Sequence, residues 1–193
     1  MNSIFRNLTL MAMVLCNCPI SRAVTTDQET TPMPEKFDAK QAPSAADWQY
    51  FTRMPAVERE QLWNESVKTG NGLGQWSWQW RLGWIRSCEV QLWNQCALIL
   101  KQALSDNAAV VRSTAAVTAG RIYSQTQDSA ITQLLLGAAR DPRNFRGGKP
   151  LFVTKRILFS LYRIGNAEGL KAAAKLVAVD QDLQSYWDKL PKS

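Results

Sequence analysis

Three groups of residues in this 193-residue chain have types and spacings that could do chemistry: a cysteine pair, a tryptophan-rich stretch and a basic run. No histidine accompanies them, although histidine is the usual general base, the commonest metal ligand and the partner of most nucleophilic serines and cysteines. The closely spaced Gly70, Gly72 and Gly74 lack the strand, helix and lysine context of a phosphate-binding loop. The sequence therefore predicts no catalytic residue, no metal site and no cofactor.

Cys88 and Cys96 are the two cysteines that would remain after removal of an amino-terminal secretion signal, which contains the other two. In an oxidising compartment such a pair is expected to form a disulfide. On one continuous helix their Cα atoms would lie roughly 12 Å apart, beyond the span of about 4.4 to 6.8 Å that a disulfide tolerates. The pairing therefore predicts that the helix breaks between them.

The segment QWSWQWRLGWIR contains Trp76, Trp78, Trp80 and Trp84 around Arg81. If the segment is extended, the first three tryptophans share one face and form a row able to stack on sugar rings or lie at a lipid interface. If it is helical, Trp76, Trp80 and Trp84 form a stripe at a spacing of four, and Trp78 points elsewhere. In the helical case most of the rings fill a joint in the core, leaving one or two beside an arginine as ligand contacts.

The segment RDPRNFRGGKPLFVTKR is rich in basic residues around Phe145, and Gly147 and Gly148 give its backbone freedom. Such a segment attracts carboxylate or phosphate groups and holds them through arginine forks. The alternative is a positive loop that is merely solvated. Its cations are Arg140, Arg143, Arg146, Lys149, Lys155 and Arg156.

These groups lie within or beside an internal repeat. Counting back from Asp106, Asp141 and Asp180, five apolar positions align at offsets of 35 and 39 residues, which is the period range of stacked helical pairs. The three aspartates are expected to cap the helices that follow them. The aligned sets are Cys96, Ile99, Leu100, Ala103 and Leu104; Ile131, Leu134, Leu135, Ala138 and Ala139; and Leu170, Ala173, Ala174, Val177 and Ala178.

The segment VVRSTAAVTAGRI, with Asp106 six residues before Arg112, resembles the inner helix of a HEAT repeat, particularly the bacterial form of phycobilisome-lyase-like proteins. The resemblance is clearest over residues 90–180. It implies an all-α fold, a short right-handed α-solenoid of HEAT-like helical hairpins with an amino-terminal, Trp-rich helical extension. It also implies a structural ladder through Asp106, Arg112 and Asp141, without catalytic roles. The next copy departs from the family pattern, because Thr154 stands where the arginine is expected.

The predicted organisation has three parts. Residues 1–23 indicate a secretion signal, because Arg6 precedes the apolar run LTLMAMVLC. Small residues, Ser21 and Ala23, also stand at the two positions that a signal peptidase reads before its cleavage site. That run is about half as long as a membrane-spanning helix, so no transmembrane span is expected after cleavage. Residues 24–43 are predicted to be a flexible linker, and residues 44–193 a helical domain.

The formal net charge is +7, and since residues 1–23 hold two of the 23 basic and none of the 16 acidic residues, the remainder carries +5. This modest excess does not indicate nucleic-acid binding. We expect an exported, periplasmic or secreted bacterial protein that is not an enzyme. It would be a scaffold that binds another cell-envelope protein through its helical surface and basic loop. Binding of an envelope glycan, anionic polymer or lipid through the tryptophans is the alternative, and a lyase-like enzyme by fold analogy is the weakest hypothesis.

Overall fold

Helices make up most of the part of the chain that the computed structural model describes, which covers residues 38–68, 72–90, 94–178 and 180–191. This confirms the prediction of an all-α protein. In these residues no helix is both long and apolar enough to cross a lipid bilayer. The α-helices are α1 (Ala45–Arg53), α2 (Ala56–Leu62), α3 (Trp78–Val90), α4 (Cys96–Leu104), α5 (Ala109–Thr126), α6 (Ser129–Ala139), α7 (Phe152–Ile164), α8 (Ala167–Val177) and α9 (Gln181–Asp188).

Shorter elements join some of these helices. A π-helical turn, Trp63–Lys68, continues α2, and single 3-10 turns occupy Leu73–Gln75 and Pro142–Asn144. The strands β1 (Phe145–Arg146) and β2 (Lys149–Pro150) form an antiparallel hairpin between α6 and α7.

The helix starts follow from side chains that accept hydrogen bonds from free backbone amides. Ser44 and Asp47 form a reciprocal capping box at α1. The carboxylates of Asp128 and Asp180 cap α6 and α9, and the Asn166 side chain caps α8. Asp106 accepts from the amide of Ala108 just before α5. Of the three repeat aspartates predicted to cap the helices that follow them, Asp180 does so, whereas Asp141 caps a 3-10 turn and α5 has Ala108 at its N-cap without a side-chain cap.

Two rows of helices result from this order. In one row α3, α5, α7 and α9 contact each other successively, and in the other α4, α6 and α8 do the same. Each of α3, α5 and α7 also packs against the helix that follows it in the chain. Apolar side chains close the space between the rows, and the fully buried ones include Ile85, Ile99, Leu100, Leu135, Ile157, Leu158 and Leu161.

The repeated apolar positions become less buried along the chain. All five are buried in α4, and all but Leu134 are buried in α6. In the third copy Ala173 and Val177 are buried, whereas Leu170, Ala174 and Ala178 are exposed. A terminal unit needs a polar outer face because no neighbour covers it, and this gradient agrees with that expectation.

Cys88 in α3 and Cys96 at the start of α4 form a disulfide, with their Cα atoms 5.6 Å apart. Because α3 ends at Val90 and α4 begins at Cys96, the predicted break between the two cysteines is confirmed. Both side chains are buried. The disulfide therefore joins the two helix rows inside the core.

The beginning of the folded part lies before the expected boundary at Ser44. The carbonyl of Ala39 accepts a hydrogen bond of 2.8 Å from the amide of Ser77 at the start of α3. Ala39, which composition assigned to the linker, is thus held against the helices. The predicted signal, 1–23, and residues 24–37 of the predicted linker lie outside the described residues.

Helices α5 and α7 approach each other closely because small residues meet where they cross. Ser160 donates a hydrogen bond of 2.8 Å from its hydroxyl to the carbonyl of Ala116. A Cβ atom placed on Gly120 would lie 2.9 Å from the Cβ of Ser160 and 3.2 Å from its Cα. The contact between the two central helices therefore depends on the absence of a side chain at Gly120.

Gly120→Ala tests this packing. The new methyl group has to push α7 away, and we expect the free energy of unfolding to fall by roughly 1–3 kcal/mol, as for overpacked cores. The matched control is Gly137→Ala in α6, where an added Cβ meets no atom within 4 Å. It should stabilise the protein by up to about 1 kcal/mol, because alanine loses less backbone entropy than glycine. Urea denaturation of both variants measures the difference, and equal effects would contradict the close contact.

Candidate functional site

The tryptophan-rich stretch is helical from Trp78 onward, as the second of the two alternatives predicted. Trp76, Trp80 and Trp84 are buried, and their rings meet edge to face with centroids 5.6 to 6.0 Å apart. Trp78 points away from this cluster and is 45% exposed. The assignment of Trp76, Trp80 and Trp84 to a partner-binding surface is therefore corrected, because their rings fill the joint between α3 and the helices before it.

Arg112 is a second buried group, and it lies at the turns that connect the two helix rows. Its side chain is 2% exposed. One terminal nitrogen donates to the carbonyls of Asp106 and Asn107, at 2.6 and 2.9 Å, in the turn before α5. The other donates to the carbonyl of Arg143, at 2.8 Å, in the turn after α6. Burial of the guanidinium lowers the pKa of Arg112 from its ordinary value.

Asn144 completes this arrangement from the other side. Its side-chain oxygen accepts a 2.7 Å hydrogen bond from Nε of Arg112, and its side-chain nitrogen donates to the carbonyl of Ala138 at the end of α6. Its own carbonyl accepts from the Thr154 hydroxyl and the Leu151 amide. Asn144 is fully buried. It therefore joins α5, the end of α6 and the beginning of α7.

Asn144 was not among the predicted site residues. The HEAT resemblance placed Asp141 in the ladder, whereas Nε of Arg112 contacts Asn144. The Asp-Pro pair at Asp141 and Pro142 favours a turn, and this turn was the one available signal for the position of Asn144. The threonine at 154, expected to interrupt the pattern, instead donates to Asn144.

Arg81 in α3 repeats the geometry of Arg112 in α5, which is the next helix of the same row. Each is the fourth residue of its helix, and a terminal nitrogen of Arg81 donates to the carbonyls of Trp76 and Gly74, in the turn before α3. Nε of Arg81 lies 3.0 Å from a carboxylate oxygen of Asp106, in the next turn. Arg81, proposed from sequence as a partner contact, is thus mostly enclosed and joins successive turns.

Arg143, another proposed partner contact, is already engaged within the chain. Its guanidinium forms a salt bridge with Asp141 and also donates to the carbonyl of Ser105, in the preceding turn, at 2.6 Å. Hydrogen bonds from the Arg143 side chain are the main cause that lowers the pKa of Asp141. Arg143 therefore contributes to the joint between the turns, although its side chain is also exposed.

The hairpin of β1 and β2 presents two exposed cations, Arg146 and Lys149. Gly147 and Gly148 form its tip with φ angles of 56° and 76°, as a type I′ turn requires. Arg146 pairs directly with Lys149 across the two strands, so both side chains lie on the same face of the hairpin. Both are exposed. Phe145 pairs with Pro150 on the opposite face and is half-buried.

The hairpin lies in a stretch of sequence that is rich in positive charge. Between Asp141 and Glu168 there is no acidic residue, whereas that interval contains six lysines and arginines. Among the described residues, Arg146 and Lys149 form no salt bridge. Arg140, at the end of α6, is also exposed. The hairpin together with Arg140 is hereafter called the basic hairpin site.

The site does not have the composition of a metal centre. In the described part of the chain, no three histidine, cysteine, aspartate or glutamate side chains are grouped so as to hold a metal ion. Comparisons of the chain with protein-family models, curated proteins and solved structures find no match.

Asn144→Ala tests the buried network. The substitution leaves Nε of Arg112 and the carbonyl of Ala138 without their partner, and we expect the free energy of unfolding to fall by roughly 2–4 kcal/mol. Asn107→Ala is the matched control, because Asn107 is exposed and contributes only its main-chain carbonyl to Arg112. It should change stability by less than about 0.5 kcal/mol. Thermal and urea unfolding compare the two, and similar losses would contradict the role of Asn144.

The pair of Asp141 and Arg143 predicts a pH dependence of stability. The pKa of Asp141 is lower in the folded state than its ordinary value of 3.8. The ionised carboxylate therefore adds to the free energy of unfolding at pH values above 3.8, and this stabilisation is lost as the pH falls through the lower folded-state pKa. Asp141→Asn should therefore destabilise the protein at pH 7 by up to about 1 kcal/mol, and the difference in unfolding free energy between the two proteins should narrow as the pH falls below 3.8. Unfolding free energies of both proteins across this range measure it, and a constant gap would contradict the prediction.

Proposed function

We propose that the chain is an exported, non-enzymatic interaction module that binds an acidic protein of the bacterial cell envelope through the basic hairpin site. In this proposal the described helices form a short right-handed α-solenoid of HEAT-like hairpins. The module holds the hairpin rigidly and presents it to the partner. No covalent chemistry is required of any residue.

The successive contacts within each helix row support the solenoid arrangement. Arg81 and Arg112 support it further, because each bridges from the turn before its own helix to the next turn along the array. This is the kind of contact between neighbouring repeats that the HEAT resemblance implies. By this pattern the array begins with α3, one helix before the clearest sequence repeat.

The disulfide supports export. Cys88 and Cys96 are bonded in the core, and disulfides persist in the periplasm and outside the cell, whereas cytosolic thiols are kept reduced. The amino-terminal pattern of Arg6, the apolar run and the small residues near Ala23 points to the same compartment. The two observations are independent, since one concerns the core and the other the amino terminus.

The lack of histidine supports a non-enzymatic role. Acid-base and nucleophilic catalysis at neutral pH most often use this residue. The two cysteines of the domain are joined in the disulfide, so neither offers a thiolate. The carboxylates of Asp106 and Asp141 are each engaged with an arginine and a backbone amide.

One observation carries the binding proposal: Arg146 and Lys149 stand side by side on one face of the hairpin. Like charges in directly opposite positions repel and destabilise a strand pair, and none of the residues between Asp141 and Glu168 is an acid that would relieve the repulsion. A carboxylate-rich partner surface would relieve it and gain charge-assisted hydrogen bonds. Binding of glycan through a tryptophan row is less well supported, since Trp76 and Trp80 are buried.

The double substitution Arg146→Glu with Lys149→Glu tests the proposal. The full-length chain is immobilised and exposed to envelope and cytosolic extracts of its own organism, and captured proteins are identified by mass spectrometry. We expect an acidic envelope protein to be captured by the natural chain and to be lost with the double variant, because repulsion replaces attraction. Circular dichroism should show unchanged helicity, since both side chains are exposed.

A matched control reverses two exposed lysines outside the hairpin, Lys101 in α4 and Lys189 after α9. The net charge changes equally, so a partner that recognises the hairpin should still be captured. Equal losses in both variants would show nonspecific charge attraction and overturn the proposal. Capture that is insensitive to the hairpin, or a partner found only in the cytosolic extract, would also overturn it.

A further inference from the structure

The face of α7 that points away from the core carries an alternation of aromatic and cationic side chains. Phe152, Arg156, Phe159 and Arg163 are spaced by four, three and four residues. At about 100° per residue, these four positions fall within an arc of about 60° on the helix surface. They form one line along α7, hereafter called the α7 stripe.

The core of the protein does not account for the α7 stripe. The residues that α7 buries lie on its other side, and they include Val153, Ile157, Leu158 and Leu161. Phe152 is 53% exposed and Arg156 and Arg163 are exposed as well. The guanidinium of Arg163 lies over the ring of Phe159, 5.9 Å from its centre. Phe159 is half-buried, so the ring of Phe152 and the outer part of the Phe159 ring are open to contact with another molecule.

The α7 stripe continues directly from the basic hairpin site. One residue, Leu151, separates β2 from α7, and its amide donates to the carbonyl of Asn144. Thr154, in the first turn of α7, donates to the same carbonyl. The buried network therefore fixes the hairpin and the helix relative to each other.

We propose that the α7 stripe docks an acidic helix of the partner that carries carboxylates and apolar side chains along one line, with Arg146 and Lys149 holding one end of that helix. This rests on the proposed function and adds the form of the ligand. Carboxylates spaced along one line of the incoming helix meet Arg156 and Arg163, and apolar side chains between them cover Phe152 and Phe159. Charge complementarity selects the partner, since six cations and no acid lie between Asp141 and Glu168.

The alternation of residue types along the α7 stripe favours a helix of a partner protein, rather than an anionic membrane, as its ligand. Helices that lie in a lipid interface separate their apolar and charged residues onto different faces. In the α7 stripe the guanidiniums and rings share one line, so insertion of Phe159 into acyl chains would carry Arg163 with it. A protein helix, in contrast, can place a carboxylate opposite each guanidinium and a leucine opposite each ring.

Three probes test this inference on the full-length chain. The first is a labelled synthetic helix in which leucine and glutamate alternate along one line. Their spacing places a glutamate opposite each arginine and a leucine opposite each phenylalanine of the α7 stripe. The second has the same composition but with leucines and glutamates on opposite faces. The third is a vesicle of phosphatidylglycerol and phosphatidylcholine in equal parts. Fluorescence anisotropy and sedimentation should show binding of the first peptide, weaker binding of the second and no dependence of vesicle binding on Phe152.

Phe152→Ser should weaken binding of the first peptide by about tenfold or more, because burial of a phenylalanine side chain is lost. Val57→Ser is the matched control, an apolar residue of α2 that is 78% exposed; it should leave binding unchanged. Since Phe152 lies outside the core, thermal unfolding should not change. Equal affinity for the two peptides, an equal effect of both serine variants, or vesicle binding that requires Phe152 would overturn the inference.

The outcome can be separated from that of the proposed function. In one outcome, charge reversal of Arg146 and Lys149 abolishes capture of the acidic envelope protein, but Phe152→Ser changes neither that capture nor the affinity for the first peptide. The proposed function then stands, and the α7 stripe is not its docking surface. If the peptide depends on Phe152 while capture is insensitive to the hairpin, the proposed function fails and the peptide-binding surface of α7 remains.

Discussion

The contact between Arg112 and Asn144 is the constraint on which the arrangement of the later helices depends. A buried guanidinium is costly unless its donors are satisfied, and Arg112 meets this condition with carbonyls from the turns on both sides and with the amide of Asn144. No carboxylate contacts it directly among the described residues. Because Asn144 in turn binds Ala138, Leu151 and Thr154, the direction of α7 and the position of the hairpin follow from this one contact.

Much of the fold could be predicted because its determinants are local. The capping box of Ser44 and Asp47, the capping aspartates and the helix break imposed by Cys88 and Cys96 each depend on a few neighbouring residues. The burial of Trp80 and Trp84 also followed from helical periodicity, once the segment was taken as helical, whereas Trp76 is buried although it lies before α3 in extended backbone. The hairpin was recognised as a basic loop, and its Gly147-Gly148 pair supplied the freedom that the turn uses.

The site itself was less predictable because its contacts join residues far apart in sequence. Arg81 and Arg143 were predicted to be partner contacts, since nothing local distinguishes a surface arginine from one that reaches Asp106 or Ser105 in another turn. Asn144 escaped notice because its partner, Arg112, lies a helical pair earlier. The alternation on α7 was present in the sequence, but its importance depended on knowing which side of that helix the core covers.

The pairing of Arg146 with Lys149 makes ionic strength act twice on any acidic partner. Dissolved salt screens the repulsion between the two cations and so stabilises the hairpin in the unbound protein. The same salt screens the attraction between the hairpin and a carboxylate-rich surface. Both effects favour the separated molecules, so association at this hairpin should decline more steeply with salt than the number of intermolecular ion pairs alone would indicate.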